Sequence, residues 1–147
     1  VLKVFGFGTR SIPSSTTRIE SDTFNGCKSL RQITFPPSIF SIESNAFKEC
    51  SSLTQITLPS KLNTISDYAF AECSSLTQIT IPFLVMYIGD FAFSGCVSLT
   101  QITIQTSWCN IKPTTFFGCN SLTQITLPSS IDSKKIFIPS NAKITTF

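Results

Sequence analysis

The stretch CSSLTQITLPSKLNTISDYAFAEC occupies residues 50–73 and both opens and closes on cysteine. The hexapeptide inside it, SLTQIT at 52–57, returns at 75–80, 98–103 and 121–126, and once as SLRQIT at 29–34. Cys27, Cys50, Cys73, Cys96 and Cys119 mark the same interval of 23 residues. With each cysteine counted as slot 0, slot 3 is Leu30, Leu53, Leu76, Leu99 and Leu122, and slot 6 is Ile33, Ile56, Ile79, Ile102 and Ile125. Slot 8 is Phe35, Leu58, Ile81, Ile104 and Leu127; slot 9 is Pro36, Pro59, Pro82, Gln105 and Pro128. Slot 15 is Ile42, Ile65, Ile88 and Ile111, with Ile19 leading in. Slot 20 is Phe47, Phe70, Phe93 and Phe116, with Phe24 leading in.

A period between 20 and 50 residues reads as a solenoid, in which one coil cannot bury its apolar side without its neighbours. The segment L-x-x-I-x-[IL]-P predicts a short strand, with slots 6 and 8 inward and slots 5 and 7 outward. Proline at slot 9 ends the strand because it has no N–H to donate. Slot 17 holds Ser21, Ser44, Asp67 and Asp90, good N-cap residues for one short helical turn per coil. Pro113 interrupts that pattern in the last full coil. Strands of successive coils stack about 4.8 Å apart, so six coils span roughly 30 Å.

The whole segment 1–147 is read as a single domain. Its coils run at about 7–29, 30–52, 53–75, 76–98 and 99–121, followed by a C-terminal cap over 122–147 that is irregular from 132 on. At the front, Val4 falls in the cysteine slot, Phe7 in the leucine slot, and Arg10 in a slot that is otherwise isoleucine, as a weakened terminal coil should. At the back, KIFIP at 135–139 imitates the strand too soon to close a full coil, and Lys134 and Lys135 would discourage pairing at an open edge.

This pattern resembles the BspA-like class of leucine-rich repeats over nearly the whole chain, from about Phe7 to Ser130. The resemblance implies a curved, right-handed solenoid with its strands on the concave face. It implies adhesion or protein recognition, often at a cell surface, and carries no catalytic residue.

Composition narrows the function. Only 13% of residues are charged, about half the usual share, and the net charge is +3. No Lys or Arg lies between Lys61 and Lys112, so the basic track of a nucleic-acid groove is missing. No apolar run approaches the ~20 residues of a membrane span, so no membrane insertion is expected in this segment. VLKVFGFG at 1–8 is too short and too broken for a signal peptide. There is no histidine, and the eight carboxylates are scattered, so catalysis is not expected. No cofactor and no metal site are expected, since no C-x-x-C pair occurs. The cysteine column reads as buried free thiols, with disulfides between stacked coils as the alternative. Cys109, outside the column at slot 13, is expected to be the most exposed thiol.

Two surfaces are candidates for binding a protein partner, with self-association among the possibilities. One is the column face made by Gln32, Gln55, Gln78, Gln101 and Gln124 with Thr57, Thr80 and Thr103, varied only by Arg31. Its plain reading is a self-satisfying hydrogen-bonded ladder, and its functional readings are a docking sheet or, less naturally beside long glutamines, an ice-binding array. The other is PFLVMYIGDF at 82–91, where Phe83, Leu84, Met86 and Tyr87 replace the polar Ser60, Lys61, Asn63 and Thr64 of the coil before. Val85 and Ile88 keep the core slots, so the four added apolar residues should lie outside the core, extended by Phe40 and Trp108. The alternative to a binding scaffold is a spacer in a larger surface protein with no ligand of its own.

Overall fold

The computed structural model of the chain describes residues 10–147, so Val4 and Phe7 lie outside the described residues. The strands are β1 (Arg10–Ser11), β2 (Arg18–Ile19), β3 (Ile33–Thr34), β4 (Ser41–Ile42), β5 (Thr64–Ile65) and β6 (Gln78–Ile81). They continue as β7 (Tyr87–Ile88), β8 (Gln101–Ile104), β9 (Asn110–Ile111), β10 (Gln124–Leu127) and β11 (Lys143–Thr146). Every pairing among them is parallel, and all but β10 with β11 keep the register of the repeat: Ile65 faces Ile42 and Ile88, and Ile102 faces Ile79 and Ile125. The chain is a parallel β-solenoid of about six turns.

The coils build two ladders. The slot 14–15 strands form one unbroken sheet in the order β2-β4-β5-β7-β9. The glutamine–threonine strands form β6-β8-β10-β11 and, separately, β1-β3. In β6, Gln78 and Thr80 are exposed while Ile79 and Ile81 are buried, the alternation that slots 5 to 8 dictate. The core is one cluster of stacked columns, Leu53, Leu76 and Leu99 beside Ile79, Ile102 and Ile125, and the phenylalanines of slot 20. Phe24, Phe47, Phe70, Phe93 and Phe116 stack with centroids 4.9, 5.1, 5.2 and 5.6 Å apart. Each such ring removes apolar area worth about 1.5–3 kcal/mol from water.

Residues after slot 15 do not form the expected helical turn. They form a chain of tight turns whose amides alternate between partners. Thr23, Asn25 and Cys27 donate three residues back to Glu20, Asp22 and Phe24, while Asp22, Phe24 and Gly26 donate to Ser44, Ala46 and Lys48 of the next coil. A helix would keep these bonds within the coil. Left-handed backbone makes the alternation possible, at Asp22, Asn45, Tyr68 and Phe91 and again at Gly26, Glu49, Glu72, Gly95 and Gly118. The slot 17 residues are therefore not helix caps. Asp67 instead reaches across coils, its Oδ1 accepting from the Asp90 backbone N–H at 2.9 Å.

The C-terminal end is more regular than KIFIP suggested. β11 pairs with β10, Lys143 facing Gln124, so this coil closes in the 19 residues from 124 to 143. It is shorter because a 3₁₀ turn at Ser133–Lys135, with Asp132 accepting from the Lys134 N–H, replaces the longer turn chain. Lys134 and Lys135 sit in that turn, and the exposed edge strand carries Lys143 instead. At the front, Arg10 faces Ile33, as its slot requires.

Candidate partner-binding surface

The cysteine column lies in the core. Cys50, Cys73, Cys96 and Cys119 are buried free thiols, and each donates Sγ–H to the carbonyl of the phenylalanine 26 residues earlier, at 3.1–3.2 Å. The thiol thus links one coil to the phenylalanine turn of the coil before it. Cys109 is half-buried, as Cys27 is, and so is not distinguished by exposure. Desolvation pushes the Cys73, Cys109 and Cys119 thiols up to about 12 and raises Cys50 and Cys96 as well. The folded state therefore keeps protons that the unfolded chain releases near 9.0. Stability is fully present below that pH and is lost as pH rises toward 12. Denaturant midpoints measured from pH 7 to 11 should be flat to about pH 9 and fall beyond it, and Cys73→Ala with Cys119→Ala should shallow the fall.

The glutamine–threonine face does not form the side-chain ladder. Among the described residues no side-chain hydrogen bond joins Gln32, Gln55, Gln78, Gln101 or Gln124 to one another, or Thr57, Thr80 and Thr103. Side-chain links between these coils come one slot earlier, from the hydroxyls of Thr100 and Thr123 to the carbonyls of Thr77 and Thr100. The face is also interrupted. Residues 55–58 join no strand, the amides of Thr54 and Thr77 reach their acceptors only at 3.4 Å, and Ile56 is half-exposed where Ile33, Ile79, Ile102 and Ile125 are buried. Crevices of about 560 and 510 Å³ flank this segment, the second running up to Phe83. Arg31 is exposed beside the first coils of the face.

The apolar face is where the sequence places it. Phe83 is 68% exposed, Leu84 56% and Met86 59%, with Phe40 two coils away at 48%. The turn before β7 holds them out. Val85 points into the core, so its neighbours on either side point away. Tyr87 departs from expectation. It is half-buried, donates its hydroxyl to Asp67 Oδ1 at 3.3 Å, and lies under the Lys112 ammonium, 5.8 Å from its ring centre. Desolvation, and then the Asp67 carboxylate, hold its phenol above the ordinary value. Tyr87 therefore braces the face rather than crowning it.

Trp108 is 85% exposed. The register that sets Tyr87 against Asn110 sets Val85 against Trp108. Trp108 thus stands out from a slot filled elsewhere by Ile39, Leu62 and Val85, all fully buried. Gln105 replaces the proline found at this slot in the other regular coils, and Thr106 after it is buried. Trp108, Cys109, Ile111, Ile131 and Ile136, with Ser107, Asn110, Ser130, Asp132 and Lys135, line an open surface concavity of about 450 Å³.

A second aromatic row was not singled out from the sequence. Tyr68 stacks on Phe91 at 5.1 Å, Phe91 meets Phe117 edge-on at 6.2 Å, and Phe117 meets Phe137 at 6.1 Å. Tyr68 and Phe91 share slot 18, and that coincidence was the available signal. Tyr68, Phe117 and Phe137 touch their neighbours in the row and are also exposed, so the row is a second apolar strip at the surface. Among the described residues no group of His, Cys, Asp and Glu converges to hold a metal, and no helix is long and apolar enough to cross a membrane.

The model of the BspA-type leucine-rich repeat region matches six copies, over residues 6–110 and 86–147. The chain belongs to this family. Such repeats are generally non-catalytic scaffolds that mediate protein interactions. A solved leucine-rich repeat protein of T. pallidum, TpLRR, superposes with a TM-score of 0.77 and 30% identity, covering 82% of this chain and 58% of its own. A leucine-rich cell surface protein of Faecalibacterium prausnitzii gives a TM-score of 0.75 at 34% identity, over 80% of this chain and 31% of its own. The pneumococcal vaccine antigen PcpA, at 21% identity, shares the fold with a TM-score of 0.79, over 94% of this chain and 36% of its own. The BspA-type chain described here thus spans less than two thirds of each of these proteins. Among curated proteins none matches.

Proposed function

We propose that this leucine-rich repeat segment is a non-catalytic recognition scaffold, acting in protein or cell-surface contact, and that the face of Phe83, Leu84, Met86 and Trp108 is where it docks a protein. The observation that carries this reading is the cluster itself. Four large apolar side chains stand in solvent in adjoining coils: Phe83, Leu84 and Met86 where the coil before has Ser60, Lys61 and Asn63, and Trp108 in a slot that is buried at Ile39, Leu62 and Val85. Contiguous exposed apolar area of this kind is characteristic of interaction sites, and aromatic anchors dominate binding energy. The cell-surface setting is supported by the name of the Faecalibacterium relative. A spacer role is favoured by one observation, the near-uniform glutamine–threonine face, which offers little for a partner to distinguish.

The test compares wild type with Phe83→Ser/Met86→Ser and with Gln78→Ala/Gln101→Ala, each immobilised at equal density against detergent-solubilised surface proteins. Docking at the apolar face predicts a saturable partner lost by at least about tenfold in the first variant and retained in the second. A partner retained by the first and lost by the second would move the site to the glutamine–threonine face. No saturable partner for any of the three would favour the spacer.

A further inference from the structure

We infer that Asn25–Gly26 is a site of spontaneous modification, where the Asn25 side chain loses its amide as ammonia and the contact between the first two coils loosens. Neither residue belongs to the apolar face, so the inference is independent of the recognition reading.

Asn25 is the only asparagine followed by glycine; the others precede Ala46, Thr64, Ile111, Ser121 and Ala142. The same two slots hold Lys48–Glu49, Ala71–Glu72, Ser94–Gly95 and Phe117–Gly118 in later coils, so the first coil alone carries this chemistry. The reaction is an internal displacement. The Gly26 backbone nitrogen bonds to Asn25 Cγ and gives its proton to water. The Cγ–Nδ2 bond breaks, and Nδ2 takes up a proton and leaves as ammonia. The product is a cyclic imide. Water then adds to one of its two carbonyls and breaks that C–N bond. Cleavage at Cγ leaves aspartate; cleavage at the backbone carbon leaves isoaspartate. Glycine favours the first step because it has no Cβ to shield the attacking nitrogen.

The turn leaves room for the ring. Asn25 and Gly26 are both exposed, and nothing stands within 4 Å of a carbon added at Gly26. Two hydrogen bonds restrain the reacting groups. Asn25 Nδ2 donates to Asp22 Oδ1 at 2.8 Å, and the Gly26 N–H donates to the Lys48 carbonyl at 2.8 Å. The first is an exposed bond within one turn. The second sets the pace, because the Gly26 nitrogen must release Lys48 before it attacks. That bond belongs to the first coil, whose Phe24 ring stacks on one ring only among the described residues, that of Phe47. End coils of a solenoid open more readily than central ones.

Either product weakens the same contact. Aspartate sets a second carboxylate against Asp22 where an amide donated. Isoaspartate routes the backbone through Cβ, adds one atom to it, and moves the Gly26 N–H out of register with Lys48. The bonds from Asp22 to Ser44 and from Phe24 to Ala46 lie in the same turn and loosen with it.

The experiment ages the folded chain in neutral buffer and follows every asparagine by peptide mapping, with a urea-unfolded sample beside it. The converted chain carries one more negative charge and is separated by ion exchange. Hydrogen exchange then compares it with fresh wild type and with Asn25→Asp, which carries the added charge from the start. Asn25 should convert in the folded chain about tenfold or more faster than Asn45 and Asn120, and Gly26→Ala should slow it by a similar factor. Any opening of the coil by Gly26→Ala would speed conversion, so a slower rate reads the chemistry itself. In the converted chain and in Asn25→Asp, the amides of Asp22, Phe24 and Gly26 should exchange faster, while those of Tyr68, Phe70 and Glu72 stay unchanged. Three results would overturn the inference: an Asn25 that keeps its amide in the folded chain while the unfolded chain converts, conversion of Asn25 and Asn120 at one pace, or a converted chain that exchanges as the fresh one does.

Discussion

Phe70→Ala should cost about 3–5 kcal/mol, a large part of the ~5–15 kcal/mol that holds a domain together. Phe70 is fully buried at the centre of the ring stack, with Phe47 at 5.1 Å on one side and Phe93 at 5.2 Å on the other. Removing it empties a ring-sized volume and strips one face from each neighbour. In a solenoid, stability is held largely by interfaces between adjacent coils, so a central loss weakens two interfaces at once. Phe24 has a ring stacked on one side only, on Phe47, and Phe24→Ala should cost less. Denaturant unfolding of both variants beside wild type measures the difference. A loss below about 1 kcal/mol at Phe70, or equal losses at both, would mean that the stack is not what couples the coils.

Gly89→Ala should be the costliest of the glycine substitutions, at about 3 kcal/mol, although it adds one methyl group. A Cβ at Gly89 would collide with Asp67 Oδ1, lie 2.5 Å from the Asp67 backbone nitrogen and 2.8 Å from the carbonyl carbon of Ser66. Two of those atoms are backbone of the neighbouring coil and cannot swing away. The third is the carboxylate that ties Asp67 to the Asp90 amide and to the Tyr87 hydroxyl. The substitution therefore overpacks the coil contact and breaks a charged hydrogen bond together. Gly26 is the control. Its φ of +72° makes alanine unfavourable, but nothing stands within 4 Å of the added carbon. Gly26→Ala should cost about 1–2 kcal/mol, the ordinary penalty of a left-handed residue. Melting curves that ranked Gly26→Ala as the more damaging would contradict the close approach at Gly89.

What could be read from the sequence was whatever the solenoid requires of every coil. The leucine, isoleucine, phenylalanine and cysteine slots must stack on their equivalents, so their repetition discloses both the period and the core. The turns were harder. Ser44 and Asp67 are as suited to a turn as to a helix start, because their side chains bond local backbone in either. The decisive fact, that alternate amides leave the coil, depends on the neighbour and is written in no single stretch. The glutamines repeat as strictly as the isoleucines, yet their side chains lie outside and make no hydrogen bond among the described residues. Exposure of Phe83, Leu84 and Met86 followed from Val85 keeping its slot. Tyr87 was read with them, and only the partner chemistry of Asp67 draws it inward. Trp108 was legible as an addition to the patch, but the concavity it lines was not. A large apolar residue in a core slot ordinarily fills it, and only the packing reveals that Trp108 is exposed while Thr106 is buried.

On the proposed reading the apolar side face, and not the glutamine–threonine face, meets the partner. Radical footprinting of the wild-type chain, alone and saturated with a captured partner, tests it most directly, because Phe83, Met86 and Trp108 are exposed and reactive. The account predicts that labelling of these three falls on binding while Phe40, Phe117 and Phe137 stay as they were or change less. Undiminished labelling at Phe83, Met86 and Trp108 in the saturated complex would contradict it.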